Sequence, residues 1–180
     1  MADEVIAPMR ALGPEVDLVS RMPYAELQKM IDDPPGFRNY WSADFHDEFD
    51  EKALDVFIES AETIPSPMTQ QIVFPWGGAI ARLGSATPMA QREALWVSHP
   101  FAMWEDAADD DRAIAWVREF RANIAPFTNG GIYLNFIGDE GEERIRAAYG
   151  PASYDRLAAI KAEYDPENVF HRNQNIRPAG

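Results

Sequence analysis

The chain has no cysteine. Disulfides, zinc–thiolate sites, cysteine nucleophiles and cysteinyl cofactor links are therefore excluded within it. Positive charge is also scarce: 16 lysines and arginines stand against 30 aspartates and glutamates, a formal net charge of −14. Phosphate backbones and anionic membrane surfaces repel such a chain, so neither nucleic acid nor membrane is expected as a main partner. No stretch approaches the ~18 consecutive apolar residues of a membrane-spanning helix. The opening sequence MADEVIAPMRALGPEVD lacks the basic start and apolar run of a signal peptide, which leaves cytoplasm as the default compartment. GxSxG, P-loop and GxGxxG patterns are missing, and there is no internal repeat. The three histidines, His46, His99 and His171, have no metal-binding spacing and are expected as packing or surface residues.

What is present describes one globular domain or a large piece of one. The chain has 180 residues, 46% of them apolar and 12% aromatic. Helical periodicity predicts a helix over residues 2–12, stopped at Gly13-Pro14, and a second from Tyr24 to Ile31. Aromatic, β-favouring composition predicts a strand over Arg38–Phe45. A helix follows from Asp47 to about Ile64, with Ala53, Val56, Phe57, Ser60 and Ala61 on one face. Gln70–Trp76 and Ala79–Leu83 read as two strands or one bulged strand, and Gly84–Pro88 as a loop. Arg92–Trp104 is a further strand, with Pro100 pointing to a sheet edge or a bulge. The acidic run Glu105–Asp111 caps a helix over 109–127; a metal site is the sharper alternative for that run. Beyond Gly130-Gly131, the segment Ile132–Phe136 alternates like a strand, and Glu142–Tyr149 and the stretch from Pro151 to Asp165-Pro166 are helical. Mixed helices and short strands with long links predict an α+β domain, an antiparallel sheet with helices gathered mainly on one face.

Two places carry polar groups that a core does not need. In a strand, Tyr133 and Asn135 share a face while Leu134 and Phe136 point the other way. That face then bears a phenol and an amide where Val or Ile would be usual; a tyrosine with its hydroxyl at a sheet edge explains the same pattern. The second place is the end of the chain, where Asn173, Gln174 and Asn175 can donate and accept together. Such a tail suits contact with backbone or a polar ring system, or is simply the frayed polar end of a helix.

The segment YLNFIGDEGEERIRAAYGPASYDRLAAIKAEYDPENVFHRNQNIRP resembles the C-terminal part of the berberine bridge enzyme-like FAD-linked oxidases. The resemblance rests on the tyrosine-bearing helix, the turn Asp165-Pro166-Glu167-Asn168-Val169-Phe170 and the tail Asn173-Gln174-Asn175-Ile176. Met22-Pro23-Tyr24, Arg38-Asn39-Tyr40-Trp41 and Pro65-Ser66-Pro67 look like that family's substrate domain. It implies that residues 1–131 are a partial substrate-binding domain and residues 132–180 the berberine-like segment of the same structural domain, part of a vanillyl-alcohol-oxidase-type flavoenzyme. It implies FAD, held mainly by an FAD-binding domain or subunit outside these residues, and a small-molecule substrate of alcohol, sugar-like or secondary-metabolite type. Tyr133 is implied as the catalytic base, Asn135 and Arg92 as substrate-binding residues, and Asn173 and Asn175 as cofactor-binding residues. A phenol has a reference pKa of about 10, so a tyrosine base working near neutral pH must be stabilised by roughly 4 kcal/mol. Phe136 and Gln91 depart from the family pattern, where a second tyrosine and a histidine are usual. The resemblance further implies an inactive chain when isolated, an exposed sheet edge open to a second copy, and a tail from Asn173 to Gly180 left mobile or docked on another copy. A non-catalytic binding module, or an accessory subunit of a separate FAD-binding chain, is the alternative.

Overall fold

The structure, a computed structural model, describes residues 2–30, 32–82, 87–138 and 140–180. They fall into two compact units, Met1–Pro35 and Gly36–Gly180. The first holds helices α1 (Ala2–Arg10) and α2 (Tyr24–Lys29). Its connecting loop is tied by Arg10, whose Nε donates to Asp17 at 2.6 Å and whose Nη2 donates to the Val19 carbonyl. Val5, Met9 and Leu12, spaced as one helical face, stand exposed. The predicted end of the second helix, Ile31, lies outside the described residues.

The second unit is built on an antiparallel sheet of β1 (Arg38–Trp41), β2 (Asp44–His46), β3 (Gln70–Pro75) and β4 (Trp96–Trp104). The nine-residue β4 is central. β3 pairs along one of its edges, while β1 and β2 pair along the other. Trp41 pairs with Phe101 and Asp44 with Ser98, so β1 and β2 share one register and are two halves of a single ribbon interrupted at Ser42-Ala43.

The interruption faces Pro100, which sits in the middle of the central strand instead of at an edge or a bulge. Proline cannot donate to a ladder. Ser42 N–H donates to the Pro100 carbonyl at 3.2 Å, but no backbone donor can return the bond to the Ser42 carbonyl. The imidazole Nδ1 of His99 donates there instead, at 2.8 Å. A side chain thus replaces the one backbone donor that Pro100 removes, and the strand continues.

The two faces of the sheet differ. On one, α3 (Glu51–Ala61) and α4 (Asp110–Ile124) bury the core. Ala113, Trp116, Val117, Phe120 and Ile124 of α4 recur at helical spacing and pack on Ala102, Trp104 and the α3 residue Ala53. α3 starts four residues after the predicted Asp47, because Asp50 accepts the Ala53 N–H at 2.9 Å as its N-cap, while Asp47 accepts from Asn129. Within the acidic run, Asp106 caps the 3₁₀ turn Ala107–Asp109 that leads into α4, accepting from Ala108 N, whereas Asp109 at the α4 N-cap makes no side-chain capping bond; Asp110 takes a two-pronged pair from Arg38 together with the Trp104 indole.

α5 (Glu142–Tyr149) and α6 (Pro151–Tyr164) complete the unit. Their junction needs Gly150, whose φ of 75° is open to glycine. α6 stops at Asp165, whose carboxylate accepts the Val169 and Phe170 N–H groups and the Lys161 ammonium. The chain then turns back on its own unit. Gln174 Nε2 donates to the Ile137 carbonyl at 2.8 Å, Ala179 N–H donates to Ala158 at 3.0 Å, and Arg177 pairs with Glu142. The expectation that Asn173–Gly180 would be mobile or docked on another copy is corrected by these contacts, which fold the tail onto its own unit. The expected strand over Ala79–Leu83 is also absent in its described part, which is a turn and a 3₁₀ step over Gly78–Arg82; Leu83 and the loop residues 84–86 lie outside the described residues.

Candidate functional site

The second face of the sheet is aromatic. Trp41, Phe45, Phe74, His99 and Phe101 stand on it, with Trp76 beside them. It is crossed by residues 129–137. This segment first pairs with β2: Asn129 N–H donates to Phe45, Phe45 N–H donates to the Gly131 carbonyl at 3.1 Å, and Ile132 bridges Asp44. Gly131 is required there, since a Cβ would lie 2.2 Å from Cγ of Gln91 and 2.9 Å from the Asn129 side-chain oxygen.

The pairing ends at Ile132, and the predicted strand with it. Leu134–Phe136 form a 3₁₀ turn closed by Phe136 N–H on the Tyr133 carbonyl at 2.9 Å. The turn changes which residues share a side. Tyr133 and Phe136, three apart, lie edge-on at 4.8 Å and both enter the aromatic face, whereas Leu134 joins the separate cluster of Ile132, Ile137 and Ala148. Tyr133 also packs edge-on to Trp76 at 4.9 Å and to Phe45 at 6.0 Å. Its hydroxyl accepts a hydrogen bond from Asn135 Nδ2 at 3.1 Å. The phenol and the amide that were expected on one strand face do meet, through a turn.

Beside this turn opens a cleft of about 1030 Å³, lined by Trp41, Leu134, Asn135, Ile137, Gly138, the start of α5, Tyr149 and the tail. Asn135, Asn173 and Asn175 all line it. Tyr133 does not line it; its hydroxyl bonds Asn135, which does. Arg92 does not line it: the guanidinium ties down a neighbouring loop, donating to the Ile80 carbonyl at 2.9 Å and to the Thr87 hydroxyl.

Three further cleft residues carry buried polar atoms with no partner among the described residues: Trp41 Nε1, Glu140 Oε1 and Asn175 Oδ1. The Glu140 side chain is only 6% exposed. Its other oxygen is held by Arg144 Nε at 2.7 Å and Arg121 Nη1 at 3.4 Å, and both arginines also pair with buried Asp44. Two carboxylates and two guanidiniums thus lock α4, α5 and β2 together and hold Glu140 at the cleft wall. Burial pushes the Tyr149 phenol, which also lines the cleft, above its ordinary value. The backbone at the cleft is unusual too. Asn173 and Gln174, which line it, adopt φ of 49° and 27°; Gln91 and Asn168, which do not, adopt 56° and 53°. Glu140 has no signal of its own in the sequence, because an isolated acid looks the same on any surface; Trp41 and Tyr149 stand in family-like segments that do not mark them as site residues.

His46 and His99 are both buried in packing roles. His46 Nδ1 donates to the Phe127 carbonyl at 2.9 Å and Nε2 accepts from Ser98 Oγ at 2.8 Å. His171 is exposed at the cleft rim. Among the described residues no cluster of histidine and carboxylate side chains could hold a metal ion. No helix among them is long and apolar enough to cross a membrane.

Residues 132–177 match the family model described as berberine and berberine-like. An uncharacterised FAD-linked oxidoreductase of Bacillus subtilis (strain 168), YvdP, is 30% identical over 154 residues, covering 82% of this chain and 34% of that protein. (R)-6-hydroxynicotine oxidase of Paenarthrobacter nicotinovorans is 29% identical over 198 residues, covering all of this chain and 42% of the oxidase. In three dimensions the chain is similar to the crystal structure of 6-hydroxy-D-nicotine oxidase from Arthrobacter nicotinovorans: the TM-score is 0.75 at 27% identity, over 99% of this chain and 42% of that one. The chain therefore spans between a third and a half of the length of these relatives.

Proposed function

Because this chain belongs to the berberine bridge enzyme-like FAD-linked oxidoreductases, we propose that it forms the substrate-binding and C-terminal portion of an FAD-dependent oxidoreductase. The substrate is an alcohol, a sugar-like compound or another secondary metabolite. Bound FAD supplies the chemistry of hydride acceptance. The observation that carries the reading is the pair at the cleft margin, the Tyr133 hydroxyl held at 3.1 Å by the Asn135 amide.

In this reading Tyr133 takes the proton of the substrate hydroxyl. The N–H of Asn135 and the rings of Trp76, Phe45 and Phe136 keep the phenol's position fixed. Asn173 and Asn175 hold the cofactor's polar edge. The cleft suits a flavin, whose ring edge alternates donors and acceptors: its unpartnered atoms are one donor, Trp41 Nε1, and two acceptors, Glu140 Oε1 and Asn175 Oδ1. Arg92 acts on the substrate side by fixing the loop at Ile80 and Thr87, with its buried Nε unpartnered among the described residues. An FAD-binding domain or subunit closes the cleft from the other side, in keeping with the greater length of the relatives.

The test is anaerobic flavin reduction in the complete flavoprotein that carries this chain. Tyr133→Phe slows reduction by about 10²- to 10⁴-fold, the range for loss of a general base, with little change in substrate affinity. An unaltered rate removes Tyr133 as the base and favours a non-catalytic binding role.

A further inference from the structure

We propose that His99 is a positioning residue for the Tyr133–Asn135 pair, a role that rests on the reading of Tyr133 as the base. Two independent features of His99 converge. Its Nδ1 must carry a proton, because its partner at 2.8 Å is a carbonyl, that of Ser42. This bond replaces the one that Pro100 cannot make, so the imidazole is locked in orientation by the central strand itself. The locked ring lies nearly parallel to Phe136, with centroids 4.4 Å apart and planes 21° apart, and nearly parallel to Phe101 on its other neighbour at 5.7 Å and 17°.

Phe136 is the hinge of the argument. Its N–H closes the 3₁₀ turn on the Tyr133 carbonyl, and its ring meets the Tyr133 ring edge-on at 4.8 Å. Asn135, one of the two residues between them in the chain, holds the Tyr133 hydroxyl. Whatever fixes the Phe136 ring therefore fixes the turn, and with it the direction of the phenol. A tyrosine on a free turn would swing by an ångström or more, which is enough to weaken proton transfer. The His99-Pro100 pair in the central strand is a way of mounting a rigid, hydrogen-bonded flat ring under a turn that has no ladder partner of its own.

The test uses the full 180-residue chain with ¹³C-labelled tyrosine rings, its six tyrosines distinguished through Tyr133→Phe, together with flavin reduction in the complete flavoprotein. Pro100→Ala is the reference background, because it returns a backbone N–H to Ser42 and frees the strand from dependence on His99. There, His99→Phe keeps a flat ring against Phe136 and leaves the Tyr133 resonances in place. His99→Asn removes the ring, shifts and broadens those resonances, and lowers kcat about tenfold at an unchanged KM. With Pro100 present, His99→Phe lowers the melting temperature, and Pro100→Ala restores it. Tyr133 resonances that do not respond to His99→Asn overturn the proposal. Resonances that move while kcat ignores both His99→Asn and Tyr133→Phe uphold the positioning and sink the base assignment.

Discussion

The two faces of one sheet treat the same residue type in opposite ways. On the helix-covered face, Trp104 donates its indole N–H to Asp110 at 2.7 Å and Trp116 donates to the Ser60 carbonyl at 3.1 Å. On the opposite face, the indole N–H groups of Trp41 and Trp76 are buried with no partner among the described residues. A buried donor without an acceptor costs about 1–3 kcal/mol. The first face is finished by its own chain. The second holds polar groups, a half-buried phenol and aromatic rings under an open cleft, the signature of a surface shaped for something else.

The comparison can be broken or sharpened by measurement. The largest difference is expected in packing: Phe120→Ala, at a site only 1% exposed, loses about 3–5 kcal/mol in urea unfolding, whereas Phe136→Leu on the open face loses less than about 1.5. Equal losses would mean that the open face is core as well. Next come the tryptophans. Trp104→Phe costs about 1–2 kcal/mol by forfeiting a bond to a carboxylate, while Trp41→Phe, which removes an unpartnered donor, stays within about 0.5 kcal/mol of the parent. A matching loss at both positions would end the asymmetry.

The smallest effect is one of pH. Burial pushes the His46 imidazole below its ordinary value of 6.5, against the pull of its bond to Phe127. Below about pH 6.5 the unfolded chain then binds a proton that the folded chain refuses. Stability is level above that point and falls as pH drops, until folded His46 itself titrates. The urea midpoint measured from pH 8 to pH 5 shows this slope, and His46→Gln flattens it.

Much of the fold was legible because its signals are local. Periodicity located α3, α4 and α6 to within a few residues, and Gly150-Pro151 and Asp165-Pro166 marked the ends of α6 through backbone conformations that few residues adopt. The misjudged places share one cause, a contact from far along the chain. The rule for proline counts backbone donors and so points Pro100 to an edge or a bulge; the His99 side chain supplies the missing donor. Ile132–Phe136 alternates like a strand, but Tyr133 and Phe136 both bury on the aromatic face, and only a turn of three residues permits that.

Sequence alone determined the α+β class, the kinship of residues 132–177 and the identity of the amides and phenol proposed for the site. These depend on short-range pattern and on residue chemistry, both written along the chain. Tertiary structure decided where they go: that the tail folds onto Ile137 and Ala158, that Glu140 is held at the cleft wall by Arg121 and Arg144, and that Arg92 binds a loop and stands apart from the cleft. Such placements are set by hydrogen bonds and ion pairs between residues tens of positions apart, and no local pattern encodes which distant partner will meet them.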